Sequence, residues 1–209
     1  DDQAVRVAAQ PVLRNFQRKR EALLEAANHN DESRYSYSQW WIDAVRKQYG
    51  ERAHAILETG NQHPPMALRV NTRHTTAAEY QTLLASQDIT ARLVEPDALI
   101  LGRPVTVERL PKFAEGWVSV QDAGAQYAAR LLNVQDGMRV LDACAAPGGK
   151  AAHLLESADI DLVAVDRDEQ RLVRVRENMQ RLGLKAQIVC GDAASPLVWW
   201  DGIPFQRIL

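Results

Sequence analysis

The chain has 209 residues, 46% hydrophobic and 25% charged, with a formal net charge of −2. That length allows one large domain or two modest ones, and the composition excludes collagen-like, low-complexity and wholly disordered classes. No apolar run approaches the roughly 18 residues of a membrane helix. The opening Asp1-Asp2-Gln3-Ala4 does not read as a signal peptide, and two cysteines, Cys144 and Cys190, make neither a disulfide framework nor a four-cysteine zinc site, so a reducing cytoplasm is the expected compartment.

Residues 1–60 read as helical. Val12, Leu13, Phe16, Leu23 and Leu24 recur at three-to-four spacing, as do Trp40, Trp41, Ala44, Val45 and Tyr49. The Asn/Asp/Ser-rich stretch from Asn28 to Ser33 predicts a loop, and a further helix is expected from Glu51 to Glu58, stopped by Gly60. Arg14, Arg18, Lys19 and Arg20 place four positive charges in seven residues, a run that suits either a solvated helix face or phosphates. After Pro64-Pro65, Met66–Asn71 alternates like a strand. Thr75 or Thr76 can cap a helix through Leu84, Ala98–Leu101 is strand-like, and Pro104–Leu110 predicts a short extended piece. Gly116–Gln121 reads as a strand running into a helix, Ala123 to Leu132.

From there strands and helices alternate: strand Met138–Ala143, helix Gly149–Glu156, strand Asp161–Asp166, helix Asp168–Leu182, strand Lys185–Cys190, and a last strand opening at Phe205. This order predicts right-handed crossovers and a parallel, doubly wound sheet whose ligand lies beyond the carboxyl ends of the strands. Three such ends are polar. The first carries Asp142-Ala143-Cys144-Ala145-Ala146-Pro147-Gly148-Gly149-Lys150, whose small residues admit a ligand close to the backbone and whose following helix offers free N–H groups. Ala151 follows Lys150 where a phosphate-binding P-loop needs Ser or Thr, and the Gly-x-Gly-x-x-Gly dinucleotide fingerprint is absent. The second strand ends in Asp166, suited to ribose hydroxyls, and the third in Cys190-Gly191-Asp192, suited to an adenine amino group. Asp168 is the better cap for the next helix. A nucleoside ligand without a pyrophosphate fits S-adenosyl-L-methionine.

The segment Asp142–Lys150 resembles the cofactor motif of the NOL1/NOP2/Sun family of RNA (cytosine-5)-methyltransferases, nearest its bacterial Sun/Fmu branch. Pro64–Asn71, Val118–Asp122, Val165–Leu172 and Gly191-Asp192 carry the same resemblance, which covers residues 11–209. It implies a Rossmann-like α/β methyltransferase fold, its parallel sheet incomplete in 116–209, preceded by a small α/β RNA-binding unit at 63–115 and a helical segment at 1–62. It implies that Cys144, Ala145, Ala146, Pro147, Gly148, Gly149 and Lys150 line the cofactor, with Asp166 on the ribose and Asp192 on the adenine. The implied substrate is a cytosine of 16S ribosomal RNA, methylated by a cytoplasmic monomer that uses no metal and no membrane. The family's nucleophilic cysteine is expected beyond Leu209, so neither Cys144 nor Cys190 is assigned that role and the 209 residues alone are expected to be inactive. Cys190 is expected to be a buried small hydrophobe. Arg14, Arg18, Lys19, Arg20, Arg69 and Arg73 are the candidate RNA contacts. The alternatives are a non-catalytic RNA-binding module with a vestigial cofactor fold, and a nicotinamide-dependent oxidoreductase.

Overall fold

The computed structural model describes residues 2–94 and 98–209, with side chains in the first helix described from residue 9 onward. The chain forms two compact units, Asp1–Pro64 and Pro65–Leu209.

The first unit is helical: α1 (Asp2–Arg18), α2 (Arg20–Ala27), α3 (Asp31–Tyr35), α4 (Gln39–Tyr49), a 3-10 turn at Gly50–Arg52, and α5 (Ala53–Gly60). The expected loop at 28–33 is a turn over residues 28–30 that leads into a helix start. Asn30 caps α3, its Oδ1 accepting the Ser33 N–H at 2.8 Å, so the cluster of Asn, Asp and Ser acts as a capping signal. The core of this unit is Tyr35, Ile42, Val45, Ala53 and Leu57. Each large apolar side chain buried here contributes roughly 1.5–3 kcal/mol. The Tyr35 hydroxyl pairs with His54 Nδ1 at 2.8 Å. Helical spacing in α4 is real, but the buried face is Ile42 and Val45, while Trp40 is 70% exposed. Val12, Leu13, Phe16, Leu23 and Leu24, which recur at helical spacing, are also exposed.

The second unit holds two sheets. In the antiparallel one the order is β2-β3-β1-β4, with β1 at Ala67–Val70, β2 at Ala91–Val94, β3 at Ala98–Leu101 and β4 at Val118–Val120. Helix α6 (Ala77–Ala85) begins at Thr76, whose Oγ1 accepts the Glu79 N–H while Glu79 Oε2 accepts the Thr76 N–H. Strand β2 is not apparent in the sequence, because a four-residue edge strand with Leu93 exposed lacks a clean alternation. Pro104–Leu110 contains a 3-10 turn at Val107–Arg109 rather than an extended piece.

The second sheet is parallel, order β7-β6-β5-β8, with β5 at Arg139–Asp142, β6 at Asp161–Asp166, β7 at Gln187–Cys190 and β8 at Arg207–Ile208. Helices α7 (Ala123–Leu132), α8 (Gly149–Ser157) and α9 (Glu169–Leu182) contribute Ala129, Leu154, Leu172, Val175 and Met179 to one core with Val140 and Leu162. The alternate residues Leu141, Val163 and Val165 face the other way, under Trp199 and Phe205. This period of two sorts each strand between the two faces. The chain builds outward from β5 to β7 and then returns to lay β8 beside β5. That reversal opens a crevice at the carboxyl end of β5, the place where such sheets take ligands.

Candidate cofactor site

The segment 143–148 leaves β5 and is tied down on two sides. Toward the sheet, Ala145 N–H donates to the Val165 carbonyl at 2.9 Å, and Ala146 N–H to Asp166 Oδ2 at 3.1 Å. Toward α9, Arg171 Nη2 donates to the Ala146 carbonyl at 3.0 Å, and Asn178 Nδ2 to the Pro147 carbonyl at 2.9 Å. Gly148 has φ of +97°, and a Cβ there would lie 3.2 Å from Val175 Cα, so only glycine allows α9 to pack this close. Gly149 opens α8 with no atom within 4 Å of a built Cβ, and no side chain caps the helix. Its first-turn N–H groups are therefore available to an acceptor. Ala151 and Ala152 are fully buried against the core, where a hydroxyl would have to find a partner.

Asp166 is 3% exposed. Its Oδ1 accepts the Asp168 N–H at 3.1 Å, its Oδ2 the Ala146 N–H, and Arg171 Nη1 stands 3.7 Å away. Each oxygen keeps a second acceptor position. Asp168 caps α9, accepting from Gln170 and Arg171 N–H. Cys190 pairs in register with Asp166, which places Asp192 just past the neighbouring strand end. Asp192 is exposed. Its Oδ1 accepts the Ala194 N–H, and its carbonyl accepts from Trp199 Nε1 at 2.8 Å. A Cβ on Gly191 would come within 2.8 Å of Trp199 Cδ1, so the indole needs glycine beneath it to hold this turn.

Asp142 has a role that the sequence pattern left unassigned. Its Oδ1 accepts the Cys144 N–H at 3.3 Å, but its Oδ2 is buried with no hydrogen-bond partner. Burial pushes its carboxyl above the ordinary range, opposed by the Cys144 N–H and the Lys150 charge and reinforced by Asp166. A buried acceptor lacking a donor suits a ligand that brings an ammonium or hydroxyl group. Arg171 and Asn178 were likewise illegible, because polar residues on an amphipathic helix read as a solvent face.

Two sequence expectations need correction. Cys190 is exposed, at the end of β7, which is an edge strand of the parallel sheet among the described residues. Partial desolvation and then the nearby Glu169 carboxylate hold its thiol above the usual value, disfavouring the thiolate. Arg69 is 1% exposed and bonded to Glu156, Gly149 and Gln121, so it cannot reach an RNA phosphate. Arg73 is exposed, donating from Nε to the Glu156 carbonyl at 3.0 Å. Arg14, Arg18, Lys19 and Arg20 are exposed around the α1–α2 junction. Cys144 is exposed on its loop.

At the other end of α8, a cavity of about 280 Å³ is lined by Arg69, Gln126, Arg130, His153, Glu156 and their neighbours. Burial, followed by the positive charges of Arg69 and Arg130, lowers the His153 pKa to about 4. The ring is neutral in the fold and titrates near 6.5 in the unfolded chain, so its contribution is complete above pH 6.5 and lost as pH falls toward 4. The full effect is at most about 3 kcal/mol, reduced where solvent reaches the ring. Unfolding followed between pH 7 and 4 should show a steeper loss for the native chain than for His153→Gln. Parallel slopes would contradict the assignment.

Among known proteins, residues 37–108 match the family described as the RsmF/B-like methyltransferase ferredoxin-like domain, and residues 129–209 match that of 16S rRNA methyltransferase RsmB/F. Ribosomal RNA small subunit methyltransferase B of Vibrio cholerae is 51% identical over 201 residues, covering 95% of this chain and 46% of that protein. The protein of the same name from Pseudomonas syringae is 49% identical, with 95% and 45% covered. The chain thus spans about half the length of these curated relatives. A methyltransferase homologue from Pyrococcus horikoshii superposes with a TM-score of 0.73 at 28% identity, covering 85% of this chain and 59% of that one. NSun6 from the same organism gives 0.72 at 17% identity over 82% and 69%, a likeness of fold alone. The fold is accordingly that of Rossmann-like methyltransferases. Among the described residues no helix is long and apolar enough to cross a membrane.

Proposed function

Because this chain belongs to the RsmB/F methyltransferase family, we propose that it is the cofactor-holding and RNA-positioning part of an S-adenosylmethionine-dependent RNA (cytosine-5)-methyltransferase acting on 16S ribosomal RNA. The observation that carries this reading is the assembly at the β5 end: an uncapped helix start, the buried Asp166 bonded to the loop, and the unpartnered Asp142 Oδ2. Cys144 to Lys150 line the methionine and ribose part, where the free N–H groups are those of Gly149 and Lys150, Asp166 accepts from the ribose hydroxyls, and Asp192 accepts from the adenine amino group. Asp142 Oδ2 accepts from the ligand's ammonium. The bound cofactor supplies an electrophilic methyl group. Cytosine C5 becomes nucleophilic only once a thiolate adds to C6, and that thiolate is neither the loop residue Cys144 nor Cys190. In this reading residues 1–62 are a helical segment, 63–115 an RNA-binding unit, and 116–209 the first half of a cytoplasmic, monomeric methyltransferase domain. Arg14, Arg18, Lys19, Arg20 and Arg73 contact phosphate.

Calorimetric titration of the 209-residue chain tests this. S-adenosylmethionine is expected to bind and NAD not to, and no radiolabelled methyl group should reach cytosine from this chain alone. Salt-dependent RNA binding with no measurable S-adenosylmethionine affinity would favour a non-catalytic RNA-binding module instead.

A further inference from the structure

Strand β1 is central in the antiparallel sheet, paired with β3 on one side and β4 on the other. Leu68 and Val70 point into the core shared with α6, so Arg69 points to the opposite face. There four of its five guanidinium N–H groups are bonded within the fold. Nε and Nη2 form a two-pronged pair with Glu156 at 2.9 and 2.8 Å, and Nη1 donates to the Gly149 carbonyl and to Gln121 Oε1, both at 2.6 Å. Gly149 and Glu156 stand seven residues apart, two turns along one face of α8. One side chain therefore grips α8 at its first residue and again near its end. Arg73, four residues further on, adds a bond from Nε to the Glu156 carbonyl.

A buried ion pair is a poor device for stability alone, since well-packed apolar residues of similar volume often serve as well or better. Apolar residues, however, cannot hold a carbonyl. We infer that Arg69 is a positioning residue for the cofactor site: by fixing Gly149 and Glu156 it sets where α8 begins and so where the free first-turn N–H groups of Gly149 and Lys150 are presented, without itself touching the ligand. The inference rests on the reading of that loop as the S-adenosylmethionine site.

The test separates holding the loop from holding the fold. The double variant Arg69→Met, Glu156→Leu replaces the pair with apolar side chains. It is expected to unfold close to the native midpoint, bind S-adenosylmethionine at least tenfold more weakly (about 1.4 kcal/mol), and exchange the amides of 144–150 at least tenfold faster, while those of β6 are unchanged. Arg69→Lys, which keeps the charge but cannot span Glu156, Gly149 and Gln121 together, is expected to show the same affinity and exchange changes, and carries the test should the double variant not fold. A folded variant with native affinity and native loop exchange overturns the inference. Failure of the native chain to bind S-adenosylmethionine would remove the cofactor reading, and loop exchange, which needs no ligand, would still decide whether Arg69 holds the loop.

Discussion

Arg69→Met as a single substitution is expected to destabilise the chain by about 3–5 kcal/mol, the usual consequence of stranding one member of a buried ion pair. Both Glu156 carboxylate oxygens accept from Arg69, and the Glu156 side chain is only 3% exposed. Methionine fills much of the volume but donates nothing. The carboxylate would be left charged at a site largely withdrawn from solvent, and Gln121 Oε1 and the Gly149 carbonyl would each lose a donor. Losing the whole of this network exceeds a typical surface substitution severalfold. Urea unfolding of the native chain and the variant gives the comparison directly. A difference below about 1 kcal/mol would mean that Glu156 finds water or another partner.

Asp166→Ala is expected to weaken S-adenosylmethionine binding at least tenfold, about 1.4 kcal/mol. Two effects add. The acceptor assigned to the ribose hydroxyls disappears, and the Ala146 N–H loses the oxygen that fastens the loop to β6. Asp166→Asn divides them. The amide keeps one acceptor oxygen at nearly the same place, so the loop can stay fastened while the charge and one acceptor are lost. Calorimetry showing native affinity in both variants would remove Asp166 from the site. Weak binding in Asp166→Ala with native affinity in Asp166→Asn would assign it to the loop alone.

The readable part of the molecule was the stretch from β5 to β7. Its strands are short continuous apolar runs, its helices are bounded by caps such as Asp168 and Gly183, and the Pro-Gly-Gly turn marks a close backbone approach, all of them features local to a few residues. The first unit was less transparent. Trp40 and Trp41 satisfied a helical period, but Ile42 and Val45 hold the core, because the neighbours that α4 meets decide which face is buried. Cys190 misled for a similar reason: a cysteine closing a strand looks interior until the strand proves to lie at the sheet edge.

Arg69 and Asp142 show where sequence reasoning stops. Arginine beside a strand in a basic, RNA-associated setting reads as a phosphate ligand. Its partner Glu156 lies 87 positions away, and no periodicity signals a pairing across that distance. The amino-acid sequence by itself determined the order of strands and helices from β5 to β7, the glycine turn after β5 and the acids at the strand ends, since each follows from interactions within a turn or a strand. Only the tertiary structure decided which charges are spent inside the fold and which face a ligand. Burial and pairing depend on chain segments far apart in sequence, and they separate a guanidinium that holds a helix from one that can meet a phosphate.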